Sequence, residues 1–192
     1  MTATLLAPAR SVEPAEFRAA MASLAAPVTV VTCYDEEGVA RGLTASAVAS
    51  LSLDPPLFLV CLDRRSSTHD VLVSAPSFAV HLLGPGNEEL ALRFAGPAEA
   101  RFAGRPVTGD AAPLLPEAPL TLVCARYGVR DGGDHSILIG RVTGIEGADR
   151  PSATGLLWHQ RGFARAVPGP ARPASGPAAA RPAHPSAPTR SA

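Results

Sequence analysis

Hydroxyl side chains recur along residues 42–68, and their types and spacing suit the binding of a ligand. The first group alternates along a strand-like stretch and consists of Thr44, Ser46, Ser50 and Ser52. The second group, Ser66, Ser67 and Thr68, follows an apolar run at the expected start of a helix. Hydroxyls and backbone N–H groups from two such stretches suit a planar ligand that carries a phosphate. The chain has no glycine-rich turn of the P-loop or dinucleotide-binding kind, so this site must be built in another way.

The composition narrows the class of protein. A chain of 192 residues, 46% of them apolar, is long enough to bury the core of one domain. The 17 basic residues balance 17 acidic ones, which argues against a nucleic-acid or anionic-membrane partner. All basic residues are arginine, so a Schiff-base lysine is excluded and arginine must meet any phosphate.

Cysteine usage and the absence of long apolar runs indicate a cytoplasmic location. Cys33, Cys61 and Cys124 each lie in an apolar, strand-like run, which is typical of reduced core thiols. No cysteine or histidine spacing predicts a metal site. No run approaches the roughly 20 apolar residues that span a bilayer, and no signal-peptide pattern precedes the domain. The prediction is a soluble protein with no membrane partner.

The apolar pattern predicts a mainly β fold. Strands are expected at residues 28–34, 39–48, 57–62, 77–83, 120–129 and 136–145. Helices are expected at residues 13–24, from a capping box at Ser67 through residue 73, and from Asn87 through residue 94. Many short strands with small helices favour a closed or nearly closed antiparallel barrel. We expect an N-terminal extension at 1–12, a folded domain at 13–166 and a disordered Pro/Ala/Arg-rich tail at 167–192.

An ordered set of short motifs carries a family resemblance. The set includes Gly42-Leu43-Thr44-Ala45-Ser46, Ser52-Leu53-Asp54-Pro55-Pro56, Ser66-Ser67-Thr68, Arg93-Phe94-Ala95 and Gly133-Asp134-His135. In order and spacing these motifs resemble the flavin reductase-like family. Its members are FMN-binding split β-barrels, antiparallel and Greek-key-like, that act as reductase components of two-component flavin-dependent monooxygenases. The resemblance covers about residues 17–163 and implies a homodimer with flavin near the subunit interface.

The resemblance also assigns cofactor contacts. The stretch expected along the isoalloxazine and ribityl chain is Thr44, Ala45, Ser46 and Ala47. The contacts expected around the phosphate are Ser66, Ser67 and Thr68, with Arg64 or Arg65 adding charge, and Asp63 is a further expected cofactor contact. Arg93 and Phe94 match an Arg-Phe pair beside the flavin, and His81 stands where the family usually has Asn.

The nicotinamide side of the site is expected at His135, Trp158 and Arg161. His135 follows two glycines and Asp134, so the loop is free to place the imidazole and the carboxylate can orient it. The resemblance implies that this histidine positions the hydride donor or supplies a proton. The implied reaction is NAD(P)H-dependent reduction of FMN, with FAD also allowed, by hydride transfer to flavin N5.

Two other functions stay open on the sequence. A non-catalytic flavin-binding or carrier protein would use the same cofactor contacts without oxidising NAD(P)H. A split-barrel FMN-dependent oxidase would need additional basic residues for a phosphorylated substrate, and the chain offers no lysine.

Overall fold

The computed structural model describes residues 11–147 and 155–167 of the chain. Within these residues the helices are α1 (Pro14–Met21), α2 (His69–Ser74), α3 (Glu88–Ala95) and α4 (Ala98–Arg101). The strands are β1 (Ala26–Pro27), β2 (Thr29–Tyr34), β3 (Ala40–Ala45), β4 (Val48–Ser52), β5 (Leu57–Asp63), β6 (Ser77–Leu82), β7 (Leu120–Gly132), β8 (His135–Glu146), β9 (Leu156–His159) and β10 (Gly162–Arg165). The prediction of a mainly β fold with short flanking helices is confirmed.

Seven of the strands form one antiparallel sheet in the order β3-β2-β6-β7-β8-β5-β4. Its two edge strands, β3 and β4, are consecutive in the chain and are separated only by Ser46 and Ala47. Because three peptide links reach at most about 11 Å, the two edges must lie close together. The sheet therefore curls almost into a barrel, and the backbone N–H of Cys61 on β5 donates to the Ala47 carbonyl at 2.8 Å, which extends the β4–β5 pairing up to the opening.

The predicted strand at residues 39–48 is wrong at its end. Pairing with β2 stops at Ala45, and a separate strand begins at Val48 on the other edge of the sheet. The chain has to leave one edge and join the opposite one, so the hydroxyl-bearing stretch is broken at Ser46 and Ala47. This break is the place where the barrel opens.

Two apolar clusters support the opening from either side. The barrel interior contains Val31, Phe78 and Leu138 among its fully buried side chains. Gly140 lies against it, because an added Cβ would stand 2.4 Å from Cζ of Phe78. The second cluster packs α3 onto the barrel and includes Phe94 and Leu156. The helix that carries part of the site is thus held by its own apolar contacts.

Helix α1 is shorter than predicted and lies outside both clusters. It ends at Met21 rather than residue 24, and none of its side chains is buried. Phe17 and Met21 of its apolar face remain exposed to solvent. The predicted N-terminal extension and disordered tail lie outside the described residues, except for positions 11, 12 and 167. Of the helices that are described, none is long and apolar enough to cross a membrane.

Candidate functional site

Two adjoining cavities lie at the opening of the barrel. The first, here called the polar cavity, has a volume of about 320 Å³. It is lined by Leu43, Thr44, Ala45, Ser46, Ala47, Cys61, Leu62, Asp63, Ser66, Phe94, Ala95, Arg101 and His135. The second, the aromatic cavity, has a volume of about 200 Å³ and is lined by Val28, Thr44, Ser46, Ala91, Leu92, Ala95, Trp158 and Phe163. Thr44, Ser46 and Ala95 line both, so the two cavities form one continuous groove.

The end of β3 forms the floor that the cavities share. As an edge strand, β3 has alternate backbone N–H and C=O groups that point away from its only partner strand. The Thr44 hydroxyl donates to the Ala91 carbonyl on α3 at 2.6 Å, so it is not free to donate to a ligand. The strand therefore offers a ligand chiefly its backbone edge and the side chain of Ser46.

A buried guanidinium that the sequence did not single out closes one side of the polar cavity. Arg101, at the end of α4, is only 9% exposed. Its Nη1 donates to the Gly42 carbonyl at 2.7 Å and to Thr68 Oγ1 at 2.8 Å. Its Nε and Nη2 donate to the Gly96 carbonyl at 3.0 and 2.8 Å. Four hydrogen bonds thus fix the plane and position of the group.

The charge of Arg101 is not neutralised by this part of the chain. Among residues 11–147 and 155–167, no carboxylate forms an ion pair with it. Burial lowers the pKa of the guanidinium from its usual value, but an arginine remains protonated at neutral pH. A buried cation that faces a cavity without a carboxylate partner is well suited to bind an anion there.

The residues predicted to bind a phosphate occupy different environments in the structure. Ser66 lines the polar cavity, and its Oγ accepts from the Thr68 N–H at 3.3 Å. Thr68 is buried behind it and accepts from Arg101. Ser67 is exposed and lines neither cavity. The predicted capping box is wrong, because Thr68 is the N-cap of α2 and makes no side-chain cap bond.

Neither of the arginines proposed from the sequence reaches the cavity. Arg64 pairs with Asp131, and Arg65 pairs with Asp63 at 2.8 Å. Hydrogen bonds from Arg65 hold the pKa of Asp63 well below its usual range, so this cavity-lining carboxylate is ionised and already matched to a cation. The guanidinium at the cavity belongs to Arg101, which lies in the turn-rich stretch 95–118 and meets Gly42 from 59 residues away. No periodicity in the sequence indicates that contact.

His135 begins β8 and lines the polar cavity. It pairs with Asp63 across the sheet and with Gly132 across the two-residue turn formed by Gly133 and Asp134. Its Nδ1 lies 2.7 Å from Oδ1 of Asp134. Because an ionised carboxylate only accepts hydrogen bonds, Nδ1 carries the proton in this arrangement.

The other two residues expected on the nicotinamide side lie elsewhere. Trp158 lines the aromatic cavity and packs edge-to-face on Phe163, with ring centroids 5.2 Å apart. Arg161 lies at the tip of the β9–β10 hairpin with φ of 64°, exposed, and lines neither cavity. The structure therefore does not bring His135, Trp158 and Arg161 together; the first two lie in separate cavities.

Only one member of the Arg93-Phe94 pair reaches the groove. Phe94 is fully buried, lines the polar cavity and packs edge-to-face on Phe102 at a centroid distance of 5.0 Å. Arg93 lies on the exposed face of α3 and donates to the Ala103 carbonyl at 3.4 Å. Successive residues of a helix point about 100° apart, so one of the pair faces the barrel and the other faces solvent.

His81 lies away from both cavities. It is fully buried on β6, with Nδ1 2.9 Å from Thr121 Oγ1 and Nε2 3.0 Å from Thr32 Oγ1. Nε2 also lies 3.2 Å from the Pro113 carbonyl. Burial lowers the pKa of the imidazole to about 4. His81, expected from the sequence to contact flavin, thus lines neither cavity, and its ring nitrogens are bonded within the protein interior.

Comparison with known proteins identifies the class to which this fold and groove belong. The chain matches the family model described as "Flavin reductase like domain" over residues 21–166. It is 42% identical over 165 residues to NADH:riboflavin 5'-phosphate oxidoreductase of Streptomyces pristinaespiralis, an alignment that covers 84% of this chain and 93% of the relative. The chain belongs to the flavin reductase-like family, as its motifs predicted.

Two further matches describe relatives with more specific names. The chain is 36% identical over 135 residues to the reductase component of a flavin-dependent trigonelline monooxygenase from Acinetobacter baylyi, covering 69% of this chain but only 44% of that relative's length. Among solved structures, the NADH:FAD oxidoreductase SgcE6 of Streptomyces globisporus, in complex with NAD and FAD fragments, superposes with a TM-score of 0.73. That match has 32% identity and covers 83% of this chain and 98% of the solved one.

Proposed function

We propose that the protein is an NAD(P)H-dependent flavin reductase that binds FMN or FAD in the groove and passes reduced flavin to a monooxygenase. The observation that carries the proposal is Arg101, a buried cation with no carboxylate partner in the described chain, at the edge of an open cavity. A flavin phosphate supplies the anion that this position lacks. The names of the relatives support the same activity.

The groove fits a flavin in size and chemistry. Arg101 and Ser66 hold the phosphate at one end, with Thr68 fixing the guanidinium from behind. The backbone from Thr44, at the end of β3, to Ala47 offers N–H and C=O groups to the polar edge of the ring system. The apolar walls around Leu43 and Phe94 exclude water from the ring.

Hydride transfer from nicotinamide C4 to flavin N5 is the chemistry that bound flavin supplies. Within the protein, His135 is the titratable imidazole of the polar cavity, and Asp134 holds its proton at Nδ1. This leaves Nε2 as the atom that can contact a substrate or exchange a proton with it. The protein contributes orientation and exclusion of water, while the cofactor carries the electrons.

The working form is a homodimer. Large apolar side chains are exposed in two places: Leu53, in the turn after the edge strand β4, is 92% exposed, and Leu92 and Trp158 stand at the rim of the aromatic cavity. A second copy that covers these side chains would shield the groove from water. Light scattering after gel filtration tests this, and a mass of one chain at micromolar concentration would contradict it.

The proposed partner is a flavin-dependent monooxygenase that receives the reduced flavin. The trigonelline monooxygenase relative is named as a reductase component, which supports this role. Transfer needs no permanent complex, because reduced flavin released from an open groove can diffuse to a second protein.

The activity is tested by adding FMN, FAD or riboflavin to the purified protein and following NADH and NADPH absorbance separately. We expect catalytic oxidation of at least one nicotinamide cofactor with FMN or FAD. Flavin binding without oxidation would contradict the reductase and favour a carrier. Consumption of O2 on addition of a phosphorylated amine, with no change in NADH or NADPH absorbance, would favour an oxidase.

A further inference from the structure

A buried histidine lies directly beneath the turn that carries His135, although it lines neither cavity. His69 is the first residue of α2 and is almost completely buried. Its Nε2 lies 2.9 Å from Oγ of Ser136, and its Nδ1 lies 2.7 Å from Oδ1 of Asp70. The imidazole therefore bridges two elements that are 67 residues apart in sequence.

The direction of these hydrogen bonds follows from the chemistry of the groups. The Asp70 side chain is 98% exposed, and an ionised carboxylate accepts but does not donate. Nδ1 of His69 therefore carries a proton. In the neutral ring Nε2 is then an acceptor, and the Ser136 hydroxyl donates to it. A buried serine whose hydroxyl is held in this way has one defined rotamer.

Ser136 directly follows His135 on β8, so fixing the Ser136 side chain also restrains the backbone at His135. Both residues pair with β5, His135 with Asp63 and Ser136 with Leu62. On its outer side the turn is held by Arg64, whose backbone N–H donates to the Asp134 carbonyl at 3.1 Å and whose Nε donates to the His135 carbonyl at 3.3 Å. His69 provides the hydrogen bond from the buried side.

The residue before His69 holds the guanidinium of the polar cavity. Thr68 accepts from Nη1 of Arg101 at 2.8 Å, so two successive residues at the start of α2 fix the guanidinium and the His135 turn. We propose that His69 is a positioning residue: through Ser136 it sets the place of the His135 imidazole in the polar cavity relative to the Arg101 guanidinium. This inference rests on the proposed reductase function.

The test compares His69→Phe and Ser136→Ala with the parent protein. For both variants we expect kcat for NADH oxidation to fall roughly 10-fold, because a reacting group displaced by a fraction of an ångström loses alignment. The Kd for FMN should stay within about twofold, because Arg101 and Ser66 are untouched. Ser74→Ala is the matched control on the same helix: its hydroxyl donates to the Asp70 carbonyl at 2.7 Å and faces solvent, so kcat should not change.

Two additional variants separate positioning from general damage to the fold. His69→Gln keeps a polar group within reach of Ser136 and should recover most of kcat, which a loss of packing would not allow. In a His135→Ala background, His69→Phe should cause no further loss, because the group on which it acts is absent. If His69→Phe does not fold, Ser136→Ala in both backgrounds gives the same comparison.

An unchanged kcat in His69→Phe or Ser136→Ala would overturn the proposal. So would a loss of kcat on adding His69→Phe to His135→Ala that is as large as the loss in the parent protein. A parallel loss of FMN affinity would also overturn it. Failure of the reductase function is distinguishable, since the parent protein itself would then oxidise no NADH or NADPH. In that case the ring ¹⁵N signals of His135 provide the readout. If His69 positions the ring, these signals shift in Ser136→Ala but not in Ser74→Ala. If it does not, they stay unchanged in both variants.

Discussion

Two buried polar clusters in this protein look alike in composition but differ in what they do. The cation cluster joins Arg101 to Thr68 and to the Gly42 and Gly96 carbonyls. The histidine cluster joins His81 to Thr32, Thr121 and the Pro113 carbonyl. Both connect distant parts of the chain through hydrogen bonds, and both central side chains are nearly or fully buried.

The histidine cluster is closed and neutral. Thr32 donates its proton to the Pro113 carbonyl at 2.6 Å, so its oxygen accepts from Nε2 of His81. Nδ1 then accepts from the Thr121 hydroxyl. Every polar atom of the ring has a protein partner, and burial keeps the ring uncharged. Such a cluster stabilises the fold and offers nothing to a ligand.

The cation cluster is open and charged. Arg101 keeps its positive charge at any physiological pH, and one side of it faces the polar cavity. Burial of a polar residue therefore does not by itself indicate a binding site. A site is marked by a charge that the protein leaves unmatched beside open space, whereas complete internal pairing marks a structural role.

The largest effect that separates the two clusters is the pH dependence of stability through His81. The pKa of its imidazole is about 4 in the folded state against 6.5 for the free group, so protonation favours the unfolded chain. The contribution is complete above pH 6.5 and is lost as the pH falls towards 4. At about 1.4 kcal/mol per pH unit, we expect a loss of about 3 kcal/mol in the free energy of unfolding. Urea unfolding measured at steps between pH 7 and pH 4 tests this.

His81→Asn is the matched variant for that experiment. It should lack this component of the pH dependence, while carboxylates such as Asp63 affect both proteins alike and cancel in the difference. FMN affinity at pH 7.5 should stay within about twofold of the parent, because His81 lines neither cavity. Identical pH profiles, or a large loss of FMN affinity, would show that the histidine cluster is not a closed structural one.

The next effect is on phosphate recognition by Arg101. Arg101→Gln should weaken FMN binding by about 30-fold, since a charge-assisted hydrogen bond contributes about 2 kcal/mol. Riboflavin has the same ring but no phosphate, and its affinity should change less than about twofold. Titrations that follow quenching of flavin fluorescence give both values.

Arg93→Gln is the control for Arg101→Gln, because Arg93 is exposed on α3, although the sequence motif placed it beside the flavin. It should leave both affinities unchanged. An equal loss for FMN and riboflavin in Arg101→Gln would mean that the guanidinium supports the fold of the groove rather than the phosphate. A loss confined to Arg93→Gln would restore the assignment made from the motif.

The sequence was sufficient to predict most of the strands and helices and one wall of the site. Apolar periodicity placed the strands from β5 to β8 within a few residues, and the alternating hydroxyls placed the floor at Thr44 and Ser46. These features are local, so neighbouring residues reveal them. The break between β3 and β4 was missed, because strand periodicity does not show that a chain changes from one edge of a sheet to the other.

The choice among candidate charges could not be made from the sequence. Arg64 and Arg65 adjoin the hydroxyl cluster, but each is matched to a nearby aspartate in the folded chain. Arg101 reaches the cavity only because α4 packs beside β3, and its partners come from three separate segments. Contacts between distant segments decide which of these arginines lacks a carboxylate partner within the described residues, and neighbouring residues in the sequence do not reveal those contacts.

The smallest effect tests whether the cation cluster acts as a unit. Thr68→Val removes the hydroxyl that accepts from Nη1 of Arg101 while keeping its shape, and leaves the carbonyl contacts intact. Loss of this one hydrogen bond loosens the guanidinium without removing its charge, so FMN binding should weaken by about fivefold, or about 1 kcal/mol, with little effect on riboflavin. Ser67→Ala, one residue earlier but exposed, should change neither affinity. If Ser67→Ala weakened FMN binding as much as Thr68→Val, the phosphate would be held by the serine cluster that the sequence suggested, and Arg101 would be a structural arginine like the structural His81.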